Sequence, residues 1–120
     1  MKIKLPKILD ERGNLTFVEA RKHVPFDIAR VHWVYNVPGG ESRGGHSLLN
    51  TDELIIALSG SFSVRMKNNQ LDSTFVLNRP YEGLIISAGT WRQMCDFSTN
   101  SIGLVLSSLP FDPAEYKYEA

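Results

Sequence analysis

Leu54-Ile55-Ile56-Ala57-Leu58-Ser59-Gly60-Ser61-Phe62-Ser63-Val64-Arg65-Met66 decides the fold class. Its first five residues form an unbroken apolar run of the length and composition of a buried strand. Ser59-Gly60 supplies the turn. Beyond it, Phe62, Val64 and Met66 alternate with Ser61, Ser63 and Arg65, which is the period of a strand with one apolar and one polar face. Strand, short turn and strand together predict a β-hairpin.

The same grammar extends in both directions. Upstream, Ala29 to Val37 alternates, with Val31, Trp33, Tyr35 and Val37 on one face and Arg30, His32, Val34 and Asn36 on the other. This predicts a packed aromatic face and a wetter face. Between the two runs lies Pro38-Gly39-Gly40-Glu41-Ser42-Arg43-Gly44-Gly45-His46-Ser47-Leu48, whose glycines permit a tight bend that delivers Arg43 and His46 at a defined height. Met1 to Leu9 mixes apolar residues with lysines and Pro6, as an edge strand does. Asp10 to Asn14 reads as a turn and Leu15 to Ala20 as a second strand, while Pro25 interrupts any helix over Arg21 to Asp27.

Downstream, Ser73 to Leu77, Gly83 to Ser87, Thr90 to Asp96 and Ile102 to Ser107 are further short strands, separated by Asn78-Arg79-Pro80, Gly89 and Ser98-Thr99-Asn100. No long stretch has helical periodicity, apart from a possible turn over Pro113 to Tyr118. Many short strands with regular turns predict an all-β sandwich or small barrel, and a barrel of eight strands has room for one small ligand.

A chain of 120 residues suits one domain, 1–120, with a substantial core. Its 13 basic and 13 acidic residues cancel, and neither sign forms a block. That balance gives no electrostatic basis for nucleic acid or membrane binding, and leaves a small polar ligand open. Cys95 is the single cysteine, so no internal disulfide forms. Without a signal-like or membrane-spanning run, the expected location is cytoplasmic.

Several segments together resemble a known family. They are Asp10-Glu11-Arg12-Gly13-Asn14-Leu15, Val24-Pro25-Phe26 followed by Arg30-Val31, Arg43-Gly44-Gly45-His46, Gly60-Ser61, Gly83-Leu84, Trp91 with Met94 and Asp96-Phe97, and Glu115-Tyr116. In these the chain resembles the small cupin family of nucleotide-linked sugar 3,4-ketoisomerases, including WxcM-type domains. The resemblance implies a cupin jelly-roll barrel and a homodimer with exchanged N-terminal strands. It also implies a thymidine-diphosphate-linked 4-keto-6-deoxy sugar as substrate, with no metal and no other cofactor. The family's RGxHxH segment places its first histidine on His46 and its second on Leu48. Its WHxMH segment falls on Trp91-Arg92-Gln93-Met94-Cys95, so histidine is absent at Leu48, Arg92 and Cys95.

Moving a ketone between adjacent sugar carbons needs a base for the α proton, a route for reprotonation and donors for the developing oxygen charge. His46 is the expected proton shuttle, with Tyr35 as donor or orienting group. Arg43, Arg65 and Arg92 are the expected ligand contacts, and Trp91 either stacks on the ligand or belongs to the core. Each has a plainer reading: His46 as a strand residue, Arg43 beside a carboxylate, Arg65 and Arg92 in solvent. Metal binding is not expected, because His23, His32 and His46 form no HxH pair. The alternative function is a noncatalytic sugar-nucleotide-binding protein or sensor that has lost the second histidine; a purely structural role is the third.

Overall fold

The computed structural model describes residues 1–120, and the chain is almost entirely strand. In order these are β1 (Lys2–Lys4), β2 (Lys7–Ile8), β3 (Leu15–Thr16), β4 (Arg30–Tyr35), β5 (Arg43–Leu48), β6 (Glu53–Ser59) and β7 (Phe62–Lys67). They continue as β8 (Asp72–Leu77), β9 (Glu82–Ile86), β10 (Trp91–Cys95), β11 (Ile102–Ser107) and β12 (Tyr116–Lys117). A short 3-10 turn, Pro113–Glu115, precedes β12, with the Asp112 side chain accepting from the Ala114 N–H.

The strands build two five-stranded sheets, ordered β1-β9-β6-β11-β4 and β12-β5-β10-β7-β8, and a small β2-β3 ribbon. Every ladder pair is antiparallel. The expected barrel is corrected here. Closure requires the last strand of a sheet to hydrogen-bond the first, whereas β1 and β4 end one sheet and β12 and β8 end the other. Within the single chain β1 pairs with β9, Lys2 opposite Leu84 and Lys4 opposite Glu82.

The Ser59-Gly60-Ser61 turn does not close a hairpin. β6 bonds to β9 and β11, and β7 bonds to β8 and β10, so the turn carries the chain from one sheet to the other. An arch suits this sequence because β6 is apolar on both faces. Ile55 and Ala57 enter the core between the sheets, while Leu54 and Ile56 pack outward under Leu5, Val24 and Phe26.

The inner core is built by Phe62, Val64 and Met66 of β7 against Ile55, Leu84 and Val105 of the facing sheet. Phe62 stacks on Phe97 with ring centroids 5.3 Å apart. Gly103 lets this happen, since a Cβ there would come within 3.1 Å of the Phe62 ring. The aromatic face of β4 is also corrected. Trp33 and Tyr35 are 59% and 60% exposed, and Arg30, His32 and Val34 turn inward instead. Alternation shows that two faces differ, without showing which one meets the other sheet.

Replacing Phe62 by Ala removes the largest fully buried side chain. The expected loss is about 3–5 kcal/mol, read in urea unfolding as a lower midpoint with an unchanged slope.

Candidate functional site

A β-bulge positions the first two functional side chains. β10 pairs with β5 through Arg92 opposite His46 and Met94 opposite Arg43, so three steps along β5 match two along β10. Residues three apart on a regular strand face opposite ways. The bulge reverses that relation, with Gly44 at a φ of 72° that few other residues adopt. Arg43 and His46 consequently open on the same cavity.

That cavity has a volume of about 350 Å³ and lies between the β4 edge of one sheet and β5 of the other. Strand register sets its lining. In the first sheet Glu53, Ser107 and Arg30 form one transverse row, and Ile55, Val105 and His32 the next. In the second, Met66, Arg92 and His46 form a row. Ile55, Val105 and Met66 belong to the core, and the polar members of the rows meet beside it at the cavity.

Arg92 and Glu53 join the two sheets by a buried ion pair, at 3% and 4% exposure respectively. Ser107 Oγ donates to the other Glu53 oxygen at 2.5 Å. Burial pushes the Arg92 pKa down, and Glu53 opposes the shift. With Arg30 and Arg43, the cavity sets three guanidinium groups against one carboxylate, a surplus that suits a polyanionic ligand.

His46 is half-buried, and its pKa is pushed down to about 4, first by burial and then by Arg92, with Glu53 acting the other way. Its imidazole is therefore a free base at neutral pH. Burial also lowers the pKa of His32, followed by repulsion from Arg30. The C-terminal segment holds the His46 ring in place. Tyr116 packs against it at 4.6 Å between centroids, and β12 pairs Tyr116 with Leu48. Glu115 latches this segment down by accepting from the Asn50 N–H and Asn50 Nδ2, each at 2.9 Å, and from Thr51 Oγ1 at 2.7 Å.

Of the residues expected from sequence, His46, Arg43 and Arg92 meet in the cavity. Tyr35 points outward from β4, and Arg65 pairs with Asp72 on the outer face of β7 at 3.0 Å. Trp91 lies in a separate depression beside Lys67 and Lys117. Leu48 is 3% exposed and filled into the core. Sequence reasoning passed over Arg30, His32, Glu53 and Tyr116 as site residues. The available signal was the polar parity of β4 and an acidic residue opening the most apolar strand. No three His, Cys, Asp or Glu side chains converge to hold a metal.

The His46 assignment has a measurable signature. An NMR titration is expected to place its pKa near 4, and to move it upward when a polyanionic ligand brings negative charge into the cavity. The unfolded imidazole titrates near 6.5, so between 6.5 and 4 the unfolded chain binds the extra proton and stability falls as pH falls. Urea midpoints across that window are expected to drop less steeply in His46→Asn.

The family model described as FdtA: WxcM-like, C-terminal, matches residues 1–120. The TDP-4-oxo-6-deoxy-α-D-glucose-3,4-oxoisomerase of Aneurinibacillus thermoaerophilus is 32% identical over 114 residues, covering 95% of this chain and 82% of that protein. The solved QdtA sugar 3,4-ketoisomerase of Thermoanaerobacterium thermosaccharolyticum, in complex with TDP, is 35% identical with a TM-score of 0.95, covering 99% of this chain and 87% of that one. The WlaRB TDP-quinovose 3,4-ketoisomerase of Campylobacter jejuni is 34% identical, also at 0.95, with 99% and 92% covered. With the family model and these relatives matching nearly end to end, the chain belongs to the FdtA, WxcM-like C-terminal, family.

Proposed function

We propose that this chain is a 3,4-ketoisomerase of a TDP-linked 4-keto-6-deoxy sugar, with His46 as its proton shuttle. The observation that carries the reading is a free-base imidazole held among three arginines in one cavity, in a chain whose relatives include enzymes of that activity. The arginines match the diphosphate and an enediolate oxygen in charge. His46 removes the α proton at C3 and returns it at C4, so one base serves both carbons. Bound diphosphate offsets the arginines' field and makes His46 a stronger base once substrate is present.

In deuterated water with TDP-4-keto-6-deoxyglucose, the expected outcome is solvent deuterium in the sugar together with carbonyl migration. His46→Asn is expected to lower the rate by about 100-fold or more. Leu48, buried where the family carries a second histidine, favours a second reading as a sugar-nucleotide sensor. Calorimetric TDP binding by folded protein with no exchange and no migration would establish that sensor and reject the isomerase.

The protein is also proposed to work as a cytoplasmic homodimer. Val31, Trp33 and Tyr35 stand 48%, 59% and 60% exposed on the outer face of β4. Val31 borders an apolar groove of about 740 Å³ that also includes Leu58 and Leu104. A contiguous apolar surface of this kind marks an association site, and a second copy is the proposed occupant, because a two-fold contact sets one such patch against itself. Light scattering is expected to give twice the chain mass, and Trp33→Glu to shift it toward the monomer. A monomer at high concentration would reject the dimer.

A further inference from the structure

His32 enters the cavity from β4, on the sheet facing the one that carries His46. Its Nδ1 is buried with no hydrogen-bond partner, and Nε2 is the ring nitrogen left open to the cavity. A structural histidine at this depth ordinarily satisfies its nitrogens, because an orphaned buried polar atom is costly. No acceptor lies at Nδ1 to favour a second proton, and burial first, then Arg30, Arg92 and Arg43, disfavour the imidazolium, with Glu53 acting the other way. These surroundings favour the uncharged ring, and Nε2 is the nitrogen placed to exchange a proton with a ligand.

From this placement we propose that His32 is the second proton carrier of the site, relaying the hydroxyl proton between the two vicinal sugar oxygens while His46 carries the carbon proton. The inference rests on the ketoisomerase reading and deepens it. As His46 takes the proton from C3, the C–H electron pair becomes the C3–C4 double bond. The carbonyl pair moves onto O4, which takes the Nε2 proton of His32. The O3 hydroxyl then returns a proton to His32 as C3 becomes the carbonyl, and the double-bond pair collects the His46 proton at C4. Both rings end as they began, and no other reactant is consumed.

A neutral imidazole can polarise a carbonyl in this way where cationic neighbours support it. Tyr116 is less suited to the task. It packs against the His46 ring from the same sheet, whereas His32 enters the cavity from the facing sheet. The relay also explains how the site dispenses with a histidine at Leu48: the missing imidazole is supplied from the facing sheet.

The test uses TDP-4-keto-6-deoxyglucose in deuterated water with the wild type, His32→Gln and His46→Asn, following deuterium in recovered substrate, isomer formed and TDP affinity. His32→Gln is expected to keep TDP affinity within about threefold and to lose about 100-fold or more in isomerisation. Its ratio of exchange to isomerisation should rise, because His46 still removes the carbon proton. An undiminished rate, or exchange and isomerisation falling in equal proportion, would overturn the relay. Absence of both in the wild type would instead reject the ketoisomerase reading beneath it. A second variant, His32→Ala, is read with added imidazole: recovery of isomerisation supports the relay, and folded protein without recovery counts against it.

Discussion

Arg92 and Glu53 form the buried ion pair on which the arrangement of the site depends. One comes from β10 and the other from β6, so the pair crosses from sheet to sheet where the apolar core gives way to the cavity. Taking two charges out of water is costly, and either partner alone would leave an uncompensated charge in the interior. Ser107 meets the remaining carboxylate oxygen, which brings the strand between Glu53 and Arg30 into the same network. Separation of the sheets, position of the guanidinium and electrostatics at His46 thus become one constraint.

The His46 base is a product of that constraint. Partial burial would lower its pKa in any protein, but Arg92 opposite it on the neighbouring strand adds a permanent repulsion. The outcome is a site whose imidazoles are uncharged while its arginines remain positive. A polyanionic ligand would supply the missing negative charge and, in doing so, raise the basicity of His46. Arg92 thus contributes through its charge at His46 and through its ion pair with Glu53.

Edges and irregularities supply the rest. The Gly44 bulge sets Arg43 beside His46, and β12 adds Tyr116 to the sheet edge, held by the Glu115 latch. Both features consist of local departures from regular strand geometry that only a few residues permit. Leu48 follows the opposite logic. It keeps the His46 face apolar and turns that position over to packing.

Much was legible in residue order. Apolar runs, period-two alternation and Gly/Asn/Pro turns are local properties, and they identified most strands and the all-β class. Arg43–Leu48, however, read as part of a bend, is strand β5, and Tyr116–Lys117, read within a terminal turn, is β12. Pairing was not legible. The Ser59-Gly60-Ser61 turn is equally compatible with a hairpin and with an arch between sheets, and the open sheets were mistaken for a barrel for the same reason: hydrogen-bond partners are chosen by distant strands. Facing was not legible either, since β4 shows two contrasting sides in sequence and only the placement of its sheet against the other turns His32 inward and Tyr35 outward. Glu53 and Arg92 lie 39 residues apart, and no local pattern couples them. Their meeting follows from the stacking of one sheet on the other, where the cost of an unpaired buried charge decides which side chains must find each other.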